Sequence, residues 1–263
     1  MSFLDHLEVL RWHIIRSAAA ILIMAIIAFT FSNYIFDYII IAPKNPDFIT
    51  YRLLCKLTTL LTGDDSLCIK EIPITLINID MSGQFSTDVI ISLFSGLILA
   101  LPYVVWEIWS FLKPALHEHE RKNTRGFVFY VSSLFIIGVL FGYFLILPLS
   151  VNFLGNYKVS EQVLNQISLG SYISTTVTLC MSSGIVFQLP ILVYILSKLG
   201  LVTPAFMRKY RKHAIIAVLF ISAVITPPDV TSQILVAIPI IILYEISIFI
   251  SASVEKKLLH KNT

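Results

Sequence analysis

"RKYRKHAIIAVLFISAVITPPDVTSQILVAIPIIILYE", Arg208 to Glu245, holds two apolar runs back to back behind a basic cluster. Arg208, Lys209, Arg211 and Lys212 precede the first run, and only "TPPD" separates it from the second. Ala214 to Pro228 is 15 residues, and so is Val230 to Tyr244, which stops at Glu245. At 1.5 Å per residue each covers about 22 Å, short of the ~30 Å hydrocarbon layer of a bilayer. Such a hairpin thins the bilayer locally or has partners beside it; otherwise its ends snorkel and the helices run past these limits.

The rest of the chain fits the same membrane class. Of 263 residues, 57% are hydrophobic and 13% charged, against about 25% charged in a soluble domain. Mean hydropathy is +0.84. Four further apolar segments raise the expectation to six spans, near 14–36, 87–108, 126–151, 168–197, 214–227 and 231–250. The spacing predicts an all-α integral membrane protein in a single polytopic domain spanning 1–263, with an outer loop near 40–86. The first run is too long for a signal-peptide core, and "FTFSNYIF" at its end lacks a small-x-small cleavage site. It reads as a retained span.

Charge sets the orientation. Arg11 and Arg16, then Lys113, Arg121, Lys122 and Arg125, then Lys198, Arg208, Lys209, Arg211 and Lys212, then Lys256, Lys257 and Lys261 all fall on one side. Only Lys44, Arg52, Lys56, Lys70 and Lys158 fall on the other. The positive-inside rule puts both termini in the cytosol. It also accounts for the net charge of +3 without a nucleic-acid partner. No Asp, Glu, Lys or Arg is expected at mid-membrane, which argues against ion pumps and proton-coupled carriers.

The first cytosolic loop is unusual. "LKPALHEHERK", Leu112 to Lys122, sets Glu118 and Glu120 among its basic residues. At the N-terminus, Phe3, Leu7, Leu10 and Ile14 share one helical face, which predicts a surface-lying amphipathic helix over 2–13. Glu8 lies off that face. Span four is dense in Ser and Thr, a pattern of helix–helix packing in lipid, and includes Gln188, whose amide needs partners there. Cys55 and Cys68 share the outer loop, as a disulfide or as two reduced thiols.

The runs "HLEVLR" (6–11), "WSFLKPALHEHER" (109–121), "GYFLILPLSVNFL" (142–154), "FQLPILVYILSKLGLVTP" (187–204) and Arg208–Glu245 together resemble the TatC family. The likeness is weakest over 43–85. It implies a concave bundle in a bacterial inner membrane, acting as receptor subunit of the twin-arginine protein translocase. Such a subunit binds signal peptides bearing two adjacent arginines. It self-associates, works with TatA- and TatB-like single-span partners, and exports folded proteins using the proton-motive force. The resemblance places the loop acid of the "HER" motif on Glu120, with Phe111 and Pro114 in the same stretch. At the N-terminus Glu8 and Arg11 fall in the matching motif.

Carboxylates suit this task because a planar guanidinium pairs with them bidentately, which lysine cannot reproduce. Two departures stand out. The family pattern "HLxELR" puts its acid at position 9, where this chain has Val9; either Glu8 substitutes or Glu120 carries recognition alone. Gln188 replaces a Glu, so a protonation switch is not expected there. Asp229, in the matching "TPPD", contacts partner helices or caps the last span.

Other classes fare worse. His117 and His119 in "HEHE" are two apart, whereas a zinc-binding HExxH helix needs histidines four apart. No GxSxG or phosphate loop is present, so neither an enzyme, a bound cofactor nor a metal is expected. A small-solute transporter lined by the polar fourth span is the remaining alternative.

Overall fold

The computed structural model describes residues 3–61, 72–112, 124–158, 160, 165–226 and 230–262. Cys68, Pro114, Glu118, Glu120 and Asp229 lie outside the described residues. The longer α-helices among the described residues are α1 (Phe3–Thr30), α2 (Ile49–Leu61), α3 (Gly83–Leu112), α4 (Thr124–Phe141), α5 (Leu147–Asn156), α6 (Leu169–Val186), α7 (Leu189–Lys198), α8 (Pro204–Lys209), α9 (Arg211–Ile225) and α10 (Val230–Asn262). Among the described residues five stretches are long and apolar enough to cross a membrane: Leu7–Thr30, Gly83–Phe111, Gly126–Asn156, Leu169–Lys198 and Gln233–Lys257. The fifth expected span, 214–227, coincides with α9, which at 15 residues is as short as its sequence implies.

Two compact units divide the chain. The first comprises residues 1–42, 75–136 and 166–177. Its main contact is α1 against α3. A Cβ built on Gly96 of α3 would sit 2.5 Å from the backbone nitrogen of Ala25 and 2.6 Å from its Cα. Only glycine lets the two backbones approach this closely, which supplies dispersion contact where lipid offers no hydrophobic drive. Strand β1 (Thr75–Ile77) pairs in parallel with β2 (Gln166–Ser168), Leu76 opposite Ile167. Buried Tyr172 donates its hydroxyl to the Ile40 carbonyl at 2.8 Å.

The second unit holds residues 43–74, 137–165 and 178–263. Between α4 and α5 the chain winds into a π turn, Gly142–Ile146. Gly138 and Gly142, one turn apart, lie against Ser183, Gly184 and Cys180 of the following span. This bears on the Ser/Thr-rich fourth span: here its small residues serve close packing. That span is broken between α6 and α7, because Pro190 has no N–H for the carbonyl of Val186, four residues earlier. α10 packs on α7, α8 and α9 around Val193, Met207 and Ile248, with Ser197 donating to Ser251 at 2.8 Å. Thr203 caps α8 by accepting from the Phe206 N–H at 3.2 Å, ahead of Pro204 at the first helical position.

Three boundaries differ from the sequence reading. The expected surface helix over 2–13 and the first span form one 28-residue helix, α1; no Gly or Pro separates them, so the ladder continues. The last span, expected over 231–250, belongs to a longer helix, since α10 extends to 33 residues and ends at Asn262. The Glu245 carboxylate accepts from the Arg211 guanidinium at 2.6 Å, so its charge is matched without leaving the helix. The region read as an outer loop contains α2, tied down by buried Tyr51, whose hydroxyl donates to the Pro148 carbonyl at 2.7 Å. Cys55 of α2 is disulfide-bonded, while Cys180 is free and buried.

Replacing Gly96 by Val forces α1 off α3, at a cost of about 1–3 kcal/mol typical of overpacking. Thermal unfolding in detergent should show a lower midpoint for Gly96→Val; an unchanged midpoint would contradict this packing. Iodoacetamide should label Cys55 in the folded protein only after reduction.

Candidate functional site

α1 turns about 100° per residue, so Val9 and His13 point the same way within about 40°, while Glu8 points about 140° from His13. His13 faces α3. Its Nδ1 donates to Glu107 Oε2, and its ring packs edge-on against Phe111 with centroids 6.0 Å apart. The other carboxylate oxygen, Oε1, accepts from the Tyr103 hydroxyl at 2.6 Å. Tyr103, Glu107 and Phe111 recur every four residues and form one stripe of α3. Arg16, one turn beyond Trp12 on α1, lies within electrostatic reach of the carboxylate.

Glu107 is 1% exposed. A carboxylate buried in an apolar helix is tolerated only when its oxygens are matched, and here two donors reach it. The imidazole is the looser partner, its side chain 18% exposed.

The expected site residues fall in several places. Glu8 is solvated, its side chain 67% exposed and 3.7 Å from Arg11. Arg11 also lies over the Trp12 ring. Phe111 is half-buried on the α1–α3 face beside His13. Gln188 sits in the turn before α7; its backbone carbonyl accepts from the Ile191 and Leu192 N–H groups at 3.0 Å. Glu120, Pro114 and Asp229 belong to the segments not described. Among the described residues, Trp109 of α3 and Phe127 of α4 stack with centroids 3.9 Å apart.

Sequence reasoning passed over Glu107, His13 and Tyr103. One signal was available: Glu107 is a lone acid inside an otherwise uncharged apolar run, with Tyr103 four residues before it.

Residues 5–239 match the family described as Sec-independent protein translocase protein (TatC). The chain belongs to the TatC family. A relative from Blattabacterium sp. subsp. Periplaneta americana (strain BPLAN), named Sec-independent protein translocase protein TatC, is 42% identical over 258 residues, covering 98% of this chain and 97% of the relative. The protein of the same name from Carboxydothermus hydrogenoformans is 34% identical, covering 98% and 95%. A crystal structure of the twin arginine translocase receptor TatC in DDM aligns with a TM-score of 0.70 at 33% identity, covering 94% of this chain and 99% of that one. This TatC-family chain is therefore an all-α, multi-pass membrane protein and a non-enzymatic subunit of the Sec-independent protein translocase. The comparisons lend no support to a small-solute transporter.

Two side-chain pairs of very different burial test the energetics. Removing the imidazole in His13→Ala strands a buried carboxylate, for about 3–5 kcal/mol. Arg211→Ala removes a partner from Glu245, whose side chain is 37% exposed, for about 0–1 kcal/mol. Chemical or thermal unfolding of the two variants should rank them in that order, and the reverse order would refute the burial argument.

Proposed function

We propose that the chain is the receptor that binds twin-arginine signal peptides at the cytosolic ends of α1 and α3. The observation that carries this reading is the matched carboxylate Glu107, with Phe111 one turn further along the same helix and "HEHER" at 117–121 following in the sequence. The side is assigned by the basic bias of the same loops. Both termini are cytosolic, and the membrane is the bacterial inner membrane.

In this reading Glu120 accepts an arginine fork, Phe111 and Pro114 border the peptide, and Glu8 with Arg11 stands at the exposed rim. The apolar segment behind the arginines contributes most of the affinity, at about 0.8 kcal/mol per buried CH₂. The acids choose between arginine and lysine, because a strongly hydrated ammonium lacks the planar fork. TatA- and TatB-like single-span subunits then join the receptor, with Gln188 and Asp229 as polar contacts for them, and copies of the receptor self-associate. The proton-motive force drives export of the folded cargo.

The protein in lipid nanodiscs should bind an Arg-Arg signal peptide at least about tenfold more tightly than its Lys-Lys counterpart, a difference of roughly 1.4 kcal/mol. Equal affinities would reject the receptor reading. Glu120→Gln should lower Arg-Arg binding more than Glu118→Gln; equal losses would remove Glu120 from the primary role.

A further inference from the structure

We infer that Glu107 supplies a second carboxylate of the twin-arginine site, accepting an incoming guanidinium in place of His13. The inference rests on the receptor reading above. It begins from geometry on α1. Val9 and His13 are one turn apart on the face turned toward α3, whereas Glu8 points away and is engaged by Arg11. A guanidinium that reaches this face therefore meets Val9, the His13 ring and Phe111, and behind His13 the carboxylate of Glu107. Glu8 is not on its path.

The carboxylate is already set for such a ligand. Tyr103 fixes Oε1 at 2.6 Å, which orients the group and leaves Oε2 to the imidazole. Imidazole and guanidinium compete for that oxygen on unequal terms. The guanidinium is permanently charged, planar and weakly hydrated, so it tolerates partial loss of water and donates without titrating. Its flat face also stacks on an aromatic ring, and Phe111 provides one four residues along α3 from Glu107. An ammonium is compact and strongly hydrated, and loses more on leaving water. The exchange thus favours arginine over lysine. The imidazole is the partner displaced, since its side chain is the more exposed of the two.

This arrangement also explains how the chain carries Val9 where an acid is expected. The charge moves from α1 to α3, to a residue whose carboxylate meets the side chain one turn beyond Val9. A carboxylate placed at position 9 would lie beside the same guanidinium, so the two positions are interchangeable sources of one charge.

The test uses the full chain in nanodiscs and the Arg-Arg and Lys-Lys peptides, with four proteins: wild type, Glu107→Gln, Val9→Glu and the double variant. The amide introduced by Glu107→Gln keeps the shape of the carboxylate and both hydrogen-bonding positions, so the fold is preserved; thermal unfolding checks this. The ratio of Lys-Lys to Arg-Arg dissociation constants should fall at least tenfold in Glu107→Gln and return to within threefold of wild type when Val9→Glu is added. An unchanged ratio in Glu107→Gln overturns the inference. So does a loss that Val9→Glu does not restore, because a purely structural role for Glu107 cannot be rescued from α1. A wild-type protein without arginine preference instead rejects the receptor reading itself, and is distinguishable from both.

Discussion

A carboxylate in an apolar helix has to be matched or removed, and Glu107 is matched by the pairing of α1 with α3. Its two oxygens are taken by donors from different sources: Tyr103 one turn back on its own helix, and His13 on the other. The second donor exists only if α1 lies against α3 in one register. The glycine at position 96 permits that approach, since its missing Cβ is where Ala25 sits. Polar matching and close backbone contact therefore specify the same register from two levels along the helices. Agreement between such levels gives a sequence one packed state.

Elsewhere the same shortage of water governs the backbone. Carbonyls freed at Pro190 and the π turn at Gly142–Ile146 interrupt helices inside the apolar stretches, and each interruption is packed on other protein. Gly138 and Gly142 bring Ser183, Gly184 and Cys180 close enough that the break is buried in protein, as non-helical backbone in a membrane requires. Tyr51 plays a comparable part for α2, sharing its hydroxyl between the carbonyls of Pro43 and Pro148. In each case a polar group is satisfied by tertiary contact that no local pattern announces.

The exposed Arg211–Glu245 pair and the buried His13–Glu107 hydrogen bond illustrate why charge counts alone mislead. Arg211–Glu245 has good geometry at 2.6 Å, yet both side chains remain well solvated, and its main effect is to let α10 continue through an acid. His13–Glu107 involves a titratable partner, yet burial gives it far more leverage over packing. The exposed pair lets a helix run on. The buried pair orders a face on which a cationic peptide is proposed to dock.

The class of protein was legible in the residues alone. Long uncharged runs, a one-sided distribution of lysine and arginine, and the shortness of the fifth span follow from composition and spacing, because bilayer thickness sets helix length directly. The loop acids and Phe111 were visible as candidates too, through motifs that lie within a dozen residues. Residue order could not show that α10 continues as far as Asn262, or that Thr75–Ile77 pairs with a strand some ninety residues later. Nor could it bring His13 to Glu107. Those features depend on partners remote in the chain, and a buried polar group's energy is decided by what the fold places beside it rather than by its neighbours in sequence.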